Sequence, residues 1–173
     1  MTMQNHFALF HLPLQFALDA AQLDAAYREV QNQVHPDKFV SASDAEKRVA
    51  MQWATRANEA YHTLKSPFKR AAYLCELHGV DLQIESNTAM PTAFLMQQMD
   101  WREELDDARA VGDIKALAAL ETAVRATRQT QIAHIATLLD SAQYAAAGEG
   151  VRQLMFLEKF GEEVTRVFDT LEA

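Results

Sequence analysis

Apolar residues recur along this chain at three- and four-residue intervals, and the segments they mark are separated by short polar stretches rich in helix-capping residues. Leu23, Tyr27, Val30 and Val34 share one face of a helix predicted over about 20–34, with Asp19 as its N-cap. Val49, Trp53, Ala57, Ala60 and Leu64 share one face of a second, over about 44–64, opened by a Ser43/Glu46 capping box. Between them lies HPDKFVSASD, where Pro36 pushes His35 out of the α region and ends the first helix. The spacing predicts a helical hairpin with a histidine and a carboxylate at its tip. HFALFHL before the hairpin predicts one or two turns, and Ser66-Pro67 after it starts a helix that stops at Gly79.

The pattern breaks over VDLQIESNTAMPT and resumes after Pro91. One helix is predicted from there to about Ala110, closed by Gly112. A long one follows, capped by Asp113 and running to about Ala145. Gly148-Glu149-Gly150 reads as a turn before a last helix. The expected organisation is a unit over 1–80, a linker over 81–90 and an antiparallel three-helix bundle over 91–173. No run of alternating β-branched residues reads as a strand, so the predicted fold class is all-α.

Two faces of the helix after Pro91 are apolar. Phe94, Trp101, Leu105 and Ala108 form one stripe, sufficient for packing into a bundle. Leu95, Met96 and Met99 form another, which runs into Asp100, Glu103 and Asp107. On the last helix Leu157, Phe160, Val164, Val167 and Leu171 form the core stripe, with Phe156 at its shoulder. Two readings stand at this point. The bundle buries Leu95 and Met99 and the acids are merely solvated, or an apolar patch with an acidic rim is exposed for a protein partner.

Charge separates the two halves. Residues 1–80 carry eight Lys/Arg and eight Asp/Glu, whereas 81–173 carry eight and sixteen, the whole excess behind the net charge of −8. An acidic second half argues against nucleic-acid or anionic-membrane partners and suits either a basic protein partner or merely solubility. MTMQNHFALFHLP lacks the basic segment and long apolar run of a signal or transit peptide, and no transmembrane segment is expected. The single cysteine, Cys75, excludes an intrachain disulfide, suits a reducing compartment and is expected to be buried. The six histidines show no metal-binding spacing, so neither a metal nor another cofactor is expected. A helical hydrolase using His35 and Asp37 would need a nucleophile and a pocket, or a phosphate-cradling glycine loop. The sequence supplies none, and no catalytic residue is assigned.

VHPDKF at a helix–helix tip is the pattern of a J-domain. With FALFHLP before it, YLCELHGVDL after it, and TAFLMQQMDWREELDD and VRQLMFLEK in the second half, the whole chain resembles the HscB family of co-chaperones of iron–sulfur cluster assembly. The resemblance implies that His35, Pro36, Asp37 and Lys38, with Arg28 on the preceding helix, dock on an HscA-type, DnaK-like ATPase chaperone. It further implies that Leu95, Met96, Met99 and Phe156, with Asp100, Glu103 and Asp107, hold an IscU-type scaffold protein. Generic J-proteins continue with Gly/Phe-rich or cysteine-rich segments, which are absent here. A J-protein serving another client is the alternative that such a resemblance leaves open. Two departures stand out: Arg28 is the only basic residue on the helix before the motif, and Val34 replaces the aromatic residue often found before the histidine. The cysteine-rich N-terminal site of eukaryotic relatives is missing, which implies a bacterial-type, cytoplasmic protein.

Overall fold

The computed structural model describes residues 4–84, 86 and 89–173. Glu85, Asn87 and Thr88 of the expected linker lie outside the described residues. Seven α-helices and one 3-10 turn make up the regular structure, with no strand among the described residues: α1 His6–Leu9, α2 Ala20–Gln33, the 3-10 turn Pro36–Phe39, α3 Asp44–Lys65, α4 Pro67–Leu77, α5 Thr92–Val111, α6 Ile114–Asp140 and α7 Tyr144–Glu172. The chain forms two compact units, Met1–Leu74 and Cys75–Ala173.

In the first unit α2 and α3 pack antiparallel. Asp19 caps α2 by accepting from the Ala21 N–H, and Ser43 caps α3 by accepting from the Glu46 N–H. The helices are joined by the Tyr27–Tyr61 ring stack, at 4.2 Å between centroids, and by Tyr27 donating to Asn58. Tyr61 also donates to Asp24 at 2.7 Å. Below them lie Leu23, Ala57, Ala60 and Leu64, with Phe7, Leu9, Phe10 and Phe16 supplied by the N-terminal segment. Arg70 is nearly buried. Its guanidinium sits 4.6 Å from the Phe16 ring centroid and donates to the Leu64 carbonyl at 2.6 Å, satisfying an acceptor freed at the end of α3.

The α3 face expected to be buried is shifted by one position. Val49 is 52% exposed and Trp53 37% exposed, while Ala50 is buried and Ala54 half-buried. A stripe of alanines at 50, 54 and 57 lets α3 approach its neighbours closely. The Trp53 ring is left at the edge of a cleft with Leu9, Phe10, Val30 and Val34, under the Arg56 guanidinium at 5.1 Å.

In the second unit α6 and α7 form the tightest pair. They run antiparallel, tied by Arg128 to Glu158 at 2.5 Å and by Gln131 donating to the Gly150 carbonyl at 3.0 Å. Trp101, Leu105 and Ala108 bury the α5 stripe against them, with Phe94 only half-buried. On α7, Leu157, Phe160, Val164 and Val167 are buried and Leu171 is half-buried. Leu82, from the expected linker, is also buried, and its carbonyl accepts from Arg152 at 3.2 Å.

The turn between the last two helices is not where the glycines are. α6 ends at Asp140, and residues 141–143 reverse the chain. Ala142 takes a left-handed conformation, φ 57°, with Gln143 N–H bonded to the Leu138 carbonyl and Ala142 N–H to that of Leu139. This is a Schellman ending without its usual glycine. Gly148 and Gly150 lie inside α7, where they permit close approach. A Cβ on Gly148 would sit 2.9 Å from Val80 Cγ1, and one on Gly150 2.9 Å from Ile135 Cγ1. Gly161, on the same helix, leaves 3.7 Å to Val124 Cγ1, an ordinary contact. The same substitution should therefore have opposite signs at two sites. Gly161→Ala should stabilise by about 0.5–1 kcal/mol through helix propensity. Gly150→Ala should lose about 1 kcal/mol, because overpacking of about 1–3 kcal/mol exceeds that gain. Thermal melts should separate the pair, since about 1 kcal/mol moves Tm by roughly 2–4 °C in a chain of this size.

Candidate functional site

Two surfaces carry the residues singled out from the sequence. The first is the tip of the α2–α3 hairpin. His35 is extended, at φ −60° and ψ 136°, as the following proline requires, and it caps the 3-10 turn. Its Nδ1 accepts from the Asp37 N–H at 3.2 Å, which leaves the ring proton on Nε2, and Nδ1 lies 3.5 Å from Asp37 Oδ2. Both side chains are largely exposed, and so are Pro36, Lys38 and Arg28. The His35 and Asp37 side chains contact only each other among the described residues, which suits presentation to a partner better than chemistry on a small substrate.

Beside the tip runs an apolar groove formed by Val34, Pro36, Phe39, Ala50, Met51 and Ala54, with Val40 and Lys47 at its margin. Val40 and Met51 are among the most exposed large apolar side chains of the unit. The sequence reading missed this groove. Its members come from three elements, and the only local signal was two apolar residues standing off the core stripes.

The second surface lies on α5. Leu95 is 46% exposed, Met96 60% and Met99 71%, so the bundle does not bury them. Trp101 stacks on Phe160, at 5.9 Å and 11° between ring planes, and Arg102 makes a fork-to-fork pair with Glu163, with N–O distances of 3.1 and 3.0 Å. These contacts make α5 and α7 parallel neighbours. They put Phe156, one turn before Phe160 and half-buried, at the level of the α5 turn that carries Leu95 and Met99. Asp100, Glu103 and Asp107 are exposed, and none makes an ion pair among the described residues.

The Arg102–Glu163 pair is the strongest polar link between α5 and the rest of its unit. The Arg102 guanidinium holds the Glu163 carboxyl below the usual carboxylate range, and the carboxylate in turn raises Arg102. A depressed carboxyl contributes stability above its unfolded value, lost as pH falls through its folded one. The link therefore persists through neutral pH and opens only below the ordinary glutamate range. With Glu163 partly solvated, its contribution to stability is small.

Elsewhere the chain offers little chemistry. Cys75 is buried, with its thiol pushed up to about 11 by burial, so it is a poor nucleophile and ligand. No group of three or more His, Cys, Asp or Glu side chains that could hold a metal ion occurs among the described residues. None of the helices is long and apolar enough to cross a membrane.

Known proteins share both surfaces' scaffold. The "Co-chaperone protein HscB homolog" of Burkholderia multivorans is 58% identical over 168 residues, covering 97% of this chain and 96% of that protein. The chain belongs to the HscB co-chaperone family. Residues 90–165 match the family description "HSCB C-terminal oligomerisation domain". Among solved structures, the chaperone HscB from Vibrio cholerae superposes with a TM-score of 0.86 at 39% identity, covering 97% of this chain and 99% of that one. The human co-chaperone protein HscB superposes with a TM-score of 0.89 at 26% identity, over 95% and 82%. The HscB fold of a J-domain followed by a helical bundle is thus the fold of this chain. The tip and groove lie on its J-domain hairpin, and the α5 patch lies on its bundle.

Proposed function

We propose that this HscB-family chain is a cytoplasmic adaptor of iron–sulfur cluster assembly. It binds an IscU-type scaffold on the bundle and presents it to an HscA-type, DnaK-like chaperone whose ATP hydrolysis the J-domain tip stimulates. The observation that carries the reading is the pairing, in one chain, of an exposed His35-Pro36-Asp37 tip with an exposed Leu95/Met96/Met99 patch. Each alone is a generic protein-binding feature; together they fit a protein that holds two partners. The chain itself performs no chemistry in this reading and needs no cofactor.

On the chaperone side, His35, Pro36, Asp37, Lys38 and Arg28 form the contact, and Val40 and Met51 extend it along the groove. The tip offers a donor at His35 Nε2 and an acceptor at the Asp37 carboxylate, fixed relative to one another by the 3-10 turn. On the scaffold side, Leu95, Met96, Met99 and Phe156 supply the apolar centre. Methionine side chains adapt to a partner's shape. Asp100, Glu103 and Asp107 supply a rim of one sign, which acts chiefly on encounter rate and partner choice.

Titration calorimetry of the full chain with the purified scaffold, beside steady-state ATPase assays of the chaperone with and without the chain, tests the whole reading. A chain that binds neither protein would refute it. The rim has its own test. Glu103→Lys with Asp107→Lys should slow scaffold association and flatten its dependence on salt, because the Debye length shrinks from about 10 Å at 0.1 M to about 3 Å at 1 M. Stopped-flow binding across an ionic-strength series measures both. Identical rates and slopes would make the acids a merely solvated face.

A further inference from the structure

The cations of α5 are all on one side. Over Thr92–Val111 the helix carries five carboxylates, at Asp100, Glu103, Glu104, Asp106 and Asp107, and two guanidiniums, at Arg102 and Arg109. Glu163 of α7 takes both of the latter. Arg102 forks onto it at 3.1 and 3.0 Å, and Arg109 approaches its Oε1 at 4.0 Å. The Arg102 guanidinium also lies 5.4 Å from the Phe160 ring centroid, which fixes its direction. The five carboxylates make no ion pair among the described residues.

Spacing shows where Arg102 would go without Glu163. Met99 is three residues before it and Asp106 four after, so both are its neighbours on the helix surface. A released Arg102 would fall back along α5 over Met99, the direction in which helical side chains lean, whereas Asp106, one turn the other way, already acts on it in the paired state. A cation would then stand on the apolar patch and offset the rim. Glu163 itself lies two turns beyond Phe156 on α7, on the stripe that faces α5.

We infer that Glu163 is a positioning and specificity-determining residue of the bundle surface: it draws the two arginines of α5 to the α7 side, and so keeps the face that receives the scaffold apolar at its centre and acidic at its edge. The surface is thereby matched to a partner with a basic rim around an apolar contact. This inference rests on the scaffold-binding reading above and adds a residue outside the contact itself.

Three variants of the full chain test it by stopped-flow association with the IscU-type scaffold, each checked for fold by circular dichroism and thermal melting. Glu163→Gln should slow association about two- to fivefold at low salt and flatten its salt dependence. Glu162→Gln removes the same charge one residue away, on the side of α7 that borders α6 with Glu121 and Arg125, and should leave both nearly unchanged. Arg102→Gln with Glu163→Gln removes the released cation nearest the patch, leaving the more distant Arg109, and should restore most of the wild-type rate and slope. If Glu163 were only a strut between helices, the single and double variants would be equally impaired at every salt concentration, and the inference would fall. It would fall equally if Glu163→Gln matched the wild type. A second readout needs no scaffold: nuclear Overhauser contacts between the Arg102 guanidinium and the Met99 methyl, absent in the wild type, should appear in Glu163→Gln. If wild-type chain fails to bind the scaffold while those contacts do appear, the functional reading fails and the relocation of Arg102 stands. If the contacts do not appear, the relocation fails whatever the scaffold does.

Discussion

His35→Gln is expected to reduce stimulation of the partner ATPase to the chaperone's basal rate while leaving the chain folded. The imidazole is more than half exposed, and its contacts among the described residues are both with Asp37: it accepts the Asp37 N–H and lies 3.5 Å from the carboxylate. Asp37 is an exposed residue whose N–H can turn to water, so the cost to stability should stay within about 0.5 kcal/mol. What the variant removes is the Nε2 donor held in a fixed relation to the Asp37 carboxylate. Asp37→Asn makes the complementary change, keeping shape and removing the charge, and should also silence stimulation. Steady-state ATPase assays with the HscA-type chaperone, alongside thermal melts, decide the matter. A folded His35→Gln chain that stimulates like the wild type would remove the tip from the mechanism.

The second large effect is expected on the bundle. Leu95→Ala with Met99→Ala should weaken scaffold binding by about 2 kcal/mol or more per anchor, roughly thirtyfold each, because a few apolar side chains dominate most interfaces. Both residues are exposed in the free chain, so the melting temperature should barely move. Phe156→Ala differs, because that ring is half-buried and its truncation should cost stability as well as affinity. Titration calorimetry and melts on the same proteins separate the two costs. Unchanged affinity in the Leu95/Met99 double variant would move the scaffold elsewhere on the chain.

Helix starts were legible because their determinants are local. Asp19, Ser43 and Asp113 each cap the helix that follows by accepting a backbone N–H two or three residues on. Gly79 and Gly112 take the left-handed conformation that their places after α4 and α5 require. The errors came where a residue's role depends on something distant. Gly148 and Gly150 resemble a turn, and only Val80 and Ile135 across the bundle show why a helix needs them bare. Ala142 carries no sign in the sequence that it will adopt a conformation usually left to glycine. On α3 the large side chains of Val49 and Trp53 suggested the buried face, whereas the alanines that permit close packing are nearly silent on a hydropathy scale. The surfaces followed the same rule. Leu95, Met96 and Met99 stood out because one helical wheel holds them. The groove beside the tip draws on three elements, and Glu163 lies 61 residues after its partner Arg102 on α5.

The packing of Trp101 on Phe160 also sets an order of events during synthesis. α5 leaves the ribosome well before the helix it stacks on. At about 5–20 residues per second, the stretch from Trp101 to Glu163 takes roughly 3–12 s to make. Throughout that interval α5 has only α6, itself still emerging, to lie against, so its core stripe is half covered and its partner-facing patch bare. The feature that lets the finished protein hold a client makes the nascent one resemble a client itself. The late arrival of α7, closing the hairpin with α6, is what ends that exposure.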